Sequence, residues 1–199
     1  MKIISQEIKT IWIIGMSSAG KTTLASMVLK KLRREGYPSI LLDGNETRDL
    51  FENRLGYDPE SRRKQTNRIK RLTIWSLNQH IIPVVAIIHP FEDDRLRCRK
   101  EIPGYCEVYL KCDIDTCIQR DNKNVYQPAL DGKAQHVIGI DINYDEPECS
   151  DLVLRSDLES PEELFWKLWE NVRNRLHDNR SAFGMYGGEQ SNELCAMKN

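Results

Sequence analysis

Apolar positions along the chain fall into two kinds of segment. Short unbroken apolar runs occur at TIWII (10–14), SILLD (39–43), PVVAIIH (83–89), CEVYLKC (106–112) and DLVLRS (151–156). Runs that are apolar on consecutive positions, and only this long, predict strands covered on both faces. Between them the apolar residues take helical spacing. Leu24, Ala25, Val28, Leu29 and Leu32 mark one face over 21–34, which Gly36 and Pro38 end. Ile69, Leu72, Ile74, Trp75 and Leu77 do the same within 61–80, and EDDRLRCRKEI and IDTCIQRD predict shorter helices. Ser160-Pro161-Glu162-Glu163 opens a last helix as a capping box with proline at the first position, ahead of a stripe from Leu164 to Leu176.

Strands that alternate with helices predict an α/β domain: a five-stranded parallel sheet with helices on both faces. Residues 122–150 are polar and broken by Pro128, Gly132, Gly139 and Pro147, which suits a mobile lid over about 120–147. The chain turns polar after Asp178, so the domain is expected over 1–178 with a tail at 179–199. Ligands in such sheets bind beyond the carboxyl ends of the strands. Gly15, Asp43 and His89 all fall there.

Composition removes some function classes. Net charge is -1, so nothing draws the whole chain to nucleic acid. No apolar run approaches the ~20 residues that cross a bilayer, and the N-terminus lacks the form of a signal peptide. A cytoplasmic protein is expected. The six cysteines form no C-x-x-C pair and no His pair has metal-ligand spacing, so reduced structural thiols are expected. Trp75, Trp166 and Trp169 are expected as core or subunit contacts.

GMSSAGKT (15–22) has the G-x-x-x-x-G-K-T form of a phosphate-binding loop, between an expected strand and an expected helix. Gly15 and Gly20 permit the turn and a close approach of backbone. The amides of Ser17, Ser18, Ala19, Gly20, Lys21 and Thr22, with Thr23 behind them, suit phosphate oxygens. Lys21 would reach the terminal phosphates, and Thr22 would ligate Mg²⁺. No N-K-x-D string marks a GTPase. Asp43, in LLDGNETR, would orient an attacking hydroxyl, take its proton, or hold the water shell of Mg²⁺; Asp before Gly is also ordinary turn chemistry. The basic run SRRKQTNRIKR (61–71) fits a solvated helix face or an anion site, with Arg62 and Arg68 as its candidates.

These strings, with IHP, EVY, CIQRDNKNVY and VIGIDINYDEP in order behind them, resemble the adenylylsulfate kinase family. The resemblance implies a P-loop kinase fold, ATP with Mg²⁺, and transfer of the γ-phosphate to the 3′-hydroxyl of adenosine 5′-phosphosulfate. It implies Asp43 as acid–base residue, Arg48 and Arg62 on the acceptor, and Arg120, Asp121, Lys123 and Tyr126 in the lid. It places Ile140 and Asp141 in the acceptor-base loop, and it implies small-molecule partners and a homodimer. This chain departs from the family at Asn45, Glu46, Gln65, His89, Tyr57 and Val137. The last two stand where the family clamps adenine between two Phe, and Val137 cannot stack as a ring does. Two alternatives follow: a 3′-kinase for cytidine diphosphoramidate in capsule modification, and a nucleotide-binding module that transfers nothing.

Overall fold

β1 (Thr10–Ile14) is buried at every position and forms the centre of the sheet. The computed structural model describes residues 7–180. The strands that follow are β2 (Ser39–Asp43), β3 (Ile82–Ile87), β4 (Tyr105–Lys111) and β5 (Leu152–Arg155). All pair in parallel, in the order β2-β3-β1-β4-β5. Ile14 pairs with Ile87 and with Tyr109, and Asp43 with Ala86, so these strands end on one rim.

Side chains alternate across β1. Ile11 and Ile13 pack with Leu24, Val28 and Leu32 of α1 (Lys21–Arg34), and with Leu164 and Leu168 of α7 (Pro161–Val172). Trp12 and Ile14 pack on the other face, with Ile69 of α3 (Pro59–Asn78) and Cys98 of α4 (Glu92–Glu101). Both faces are therefore covered, which is why the strands read as unbroken apolar runs. The remaining helices are short: α2 (Glu46–Asp49), α5 (Ile114–Arg120) and α6 (Tyr126–Leu130).

The long helices begin where side-chain chemistry starts them. Asp58 caps α3, accepting from the Ser61 amide, with Pro59 in the first turn. Ser160 and Glu163 form the expected capping box on α7. α2 and α6 carry too few residues to show a period, and the sequence pattern missed both. β3 ends at Ile87, so His89 lies two residues beyond the strand rather than on it. Of the three tryptophans expected as core or subunit contacts, Trp169 is buried, while Trp75 and Trp166 face outward. Each of the exposed pair lies on the outer side of an otherwise amphipathic helix. Of the expected tail, 181–199 lie outside the described residues. Asn179 is buried, with its amide on the His80 carbonyl, and the Arg180 guanidinium lies over the Tyr37 ring.

Candidate active site

The loop after β1 is shaped by backbone that only glycine adopts easily. Gly15 has φ 147°, and a Cβ there would lie 2.5 Å from the Leu110 carbonyl oxygen of β4. Gly20 has φ 92° and occupies the cap position of α1 without any side-chain cap. The first amides of α1 are therefore left for a ligand, and no acidic residue stands in its first turn to compete. Lys21 folds back across the loop and donates to the Met16 carbonyl at 2.5 Å. Burial, then the neighbouring Lys123 ammonium, pushes Lys21 down to about 8.

Asp43 meets this loop from the next rim position. The Thr22 hydroxyl donates to its Oδ2 at 2.6 Å, and the Asn45 amide donates to its Oδ1 at 2.8 Å. The Thr47 hydroxyl donates to the Asp43 carbonyl at 2.7 Å. The carboxylate is thus held on both oxygens, facing the hydroxyl that the sequence assigned to Mg²⁺.

A cavity of about 610 Å³ opens over this pair. Ser17, Ser18, Gly20, Lys21, Thr22 and Thr23 line one end. Asp43, Tyr57 and Arg62 line the other, and Lys123 and Val137 reach in from the segment expected as a lid. The volume suits nucleotide-sized ligands. A smaller cavity of about 60 Å³ adjoins it, lined by Arg48, Tyr57, Arg62, Gln65 and His89 among others.

Arg48 and Arg62 share the Tyr57 ring, at 4.6 and 5.5 Å from its centre. Arg48 also donates to the Leu55 and Gly56 carbonyls, and Arg62 to those of Tyr57 and His136. Neither has a carboxylate at ion-pair distance among the described residues. Burial, then Arg48, pushes Arg62 down to about 10, and burial lowers Arg48 as well. Asp58 acts on both guanidinium groups, and Asp141 on Arg62, only from beyond ion-pair distance, so the two buried groups carry positive charge that an anionic ligand would relieve.

The segment that follows α5 is tied to the phosphate loop through backbone. Asp121 accepts from the amides of Val125, Tyr126 and Gln127, and the Tyr126 hydroxyl donates to the Ser17 carbonyl at 3.1 Å. Asp141 accepts from the His136 and Val137 amides, both at 2.6 Å, and so shapes the loop that carries Val137.

Most of the expected site residues converge on the two cavities. Gly15 and Ala19 are buried beneath the loop as its support. Arg120 and Ile140 line neither cavity, and the Arg120 guanidinium donates to the Ser156 carbonyl and to Cys112 Sγ. Arg68 stacks on Phe51 and donates to the Asn53 carbonyl, away from the site. The sequence pattern missed Arg54, Asn122, His136 and Thr47. Only Thr47 had a usable signal, since a hydroxyl four residues after a turn aspartate often bonds back to it.

Comparison with known proteins agrees with this geometry. The family model described as adenylylsulphate kinase matches residues 7–155. A probable adenylyl-sulfate kinase of Bacillus subtilis (strain 168) is 37% identical over 168 residues, spanning 83% of this chain and 85% of that protein. An adenylyl-sulfate kinase of Thermodesulfovibrio yellowstonii is 32% identical over 168 residues, 83% of this chain and 84% of that protein. The Mycobacterium tuberculosis APS kinase CysC, solved with AMPPNP and APS, superposes with TM-score 0.78 at 28% identity, over 84% of this chain and 99% of that one. The chain, with its five parallel strands and glycine-shaped phosphate loop, belongs to the adenylylsulphate kinase family of phosphotransferases that act on an alcohol group.

Proposed function

We propose that this protein transfers the γ-phosphate of ATP to the ribose 3′-hydroxyl of adenosine 5′-phosphosulfate, giving the 3′-phosphorylated product. The observation that carries the proposal is the bridge from Thr22 to Asp43, which joins the phosphate loop to the rim residue beside the acceptor cavity. Phosphoryl transfer asks the protein mainly to position two groups in line and to neutralise charge. Lys21 and the free amides of α1 hold the triphosphate. Asp43 receives the hydroxyl proton or orients that hydroxyl for attack. Arg48 and Arg62 hold the acceptor's 5′ anion, and the segment around Lys123 and Val137 covers the site and excludes water.

Mg²⁺ fits the donor set. Such an ion in a kinase takes one or two protein oxygens and fills its shell with phosphate oxygens and water, and Thr22 Oγ1 and Asp43 Oδ2 meet 2.6 Å apart at the loop. They would hold it directly or through water. When bound, the ion neutralises charge on the β- and γ-phosphates.

Incubation with ATP, Mg²⁺ and a panel of 5′-substituted nucleotides, read by mass, tests the proposal. Adenosine 5′-phosphosulfate is expected to gain one phosphoryl group and to release ADP. ATP binding with no ADP above background, whatever the acceptor, would leave a binding module; turnover of a cytidine acceptor alone would overturn the choice of base.

A further inference from the structure

Ser18 stands in the middle of the phosphate loop with φ 59°, a left-handed conformation that disfavours any residue carrying a Cβ. Such a residue persists only where its surroundings hold it. The peptide unit before Ser18 has one side-chain contact of that kind: the Tyr126 hydroxyl donates to the Ser17 carbonyl at 3.1 Å. A carbonyl oxygen can only accept, so the phenol supplies the proton. Burial raises that phenol above its ordinary range and keeps the proton in place. Tyr126 is itself well seated. It is fully buried, in the same apolar cluster as Ala19 of the loop and Cys117 of α5. Its amide and those of Val125 and Gln127 all donate to Asp121, which fixes its backbone.

Peptide planarity carries this contact into the site. In a trans peptide the carbonyl oxygen and the following amide hydrogen point in opposite directions, and no cis peptide occurs among the described residues. With the Ser17 oxygen drawn to Tyr126, the Ser18 N–H points the other way. It makes no hydrogen bond among the described residues, and Ser18 lines the 610 Å³ cavity with Gly20 and Lys21. The preceding carbonyl, that of Met16, is held too, by Lys21 Nζ at 2.5 Å and the Ala19 amide at 3.4 Å. Successive amides around a left-handed residue form an anion-binding concavity. Tyr126 lines neither cavity, so it acts on this concavity through the backbone alone.

We propose that Tyr126 is a positioning residue for the phosphate donor: its hydroxyl turns the Ser17–Ser18 peptide so that the Ser18 N–H faces a phosphate of ATP before the nucleotide arrives. The assignment rests on the donor proposed above. It makes the segment after α5 part of the phosphate cradle's shape, rather than only a cover over it.

Tyr126→Phe keeps the ring and its packing and removes only the hydroxyl. ATP and inorganic tripolyphosphate, each with Mg²⁺, are titrated into wild type and variant by calorimetry, and kcat, both KM values and Tm are measured. Tripolyphosphate presents the phosphates without base or ribose. Affinity for both probes is expected to fall by the same factor, about fivefold, as for one lost hydrogen bond. The cradle grips phosphate alike before and during transfer, so the KM for ATP should rise by that factor while kcat and the acceptor KM hold within about twofold. Wild-type affinity for both probes in the variant would overturn the proposal. So would a loss for ATP alone, which would place the effect at the base or ribose. Affinity for ATP and acceptor falling together, with a lowered Tm, would show a scaffold role and overturn it as well. Wild-type protein that binds neither probe would instead bring down the donor assignment, and this one with it.

Discussion

The donor and acceptor halves proposed for the site are built in opposite ways. The donor half is one stretch, Gly15 to Thr23, in which glycine conformations and a single lysine do nearly everything. The acceptor half is collected from four places: Asp43 and Arg48, Tyr57 to Gln65, His89, and the loop around Val137. A contiguous cradle is rigid and depends on each member. A distributed site shares its contacts, so its members should fail by degrees.

The sharpest break is Lys21→Ala. It removes the one cation that the loop folds around, and kcat/KM should fall about 10³-fold with every acceptor. Loss confined to one acceptor would show that Lys21 serves the acceptor half. Next comes Asp43→Asn, which alters the residue joining the halves. ATP binding should persist while kcat falls about 10²-fold or more. Turnover at the wild-type rate would remove Asp43 from the chemistry.

The same contrast decides what could be foreseen. The loop was legible because its residues are neighbours in sequence and each has a conformational reason to be there. Asp43 was legible because a strand end predicts a rim position. Much of the acceptor half was legible only through resemblance to the family, which named Arg48; the basic run had already marked Arg62, but neither reading said how each is held. That both would donate to nearby carbonyls and share Tyr57 depends on the turn between α2 and α3, which carries no periodic signal. Arg120 is the informative exception: it matches a family string, yet here it donates to the Ser156 carbonyl beside β5. The fold was more open to reading than the site. Strands covered on both faces announce themselves, whereas α2 and α6 are too short to do so.

Arg62→Lys tests the graded failure expected of the acceptor half. The lysine keeps a charge but loses the planar fork that bonds Tyr57 and His136 together. The KM for the acceptor should rise about tenfold or more while the KM for ATP holds. Equal losses for both substrates would mean that Arg62 acts by holding the lid loop rather than the acceptor.

The smallest expected effect lies in the donor half and depends on pH. An ordinary lysine keeps its charge to about pH 10. Lys21, pushed down to about 8 by burial and then by Lys123, begins to lose its proton in the nucleotide-free protein just above neutrality. ATP favours the charged form, so binding must restore that proton. Affinity should therefore be nearly level at pH 7, fall by about half at pH 8, and fall about tenfold by pH 9. The bound nucleotide should raise the lysine back toward its usual range, so proton uptake on binding should grow over the same interval. Titration of ATP into the free protein by calorimetry, in two buffers of different ionisation enthalpy, reads both. Affinity level to pH 9.5 with no proton uptake would show that Lys21 stays charged, and that its contact with the Met16 carbonyl outweighs its burial.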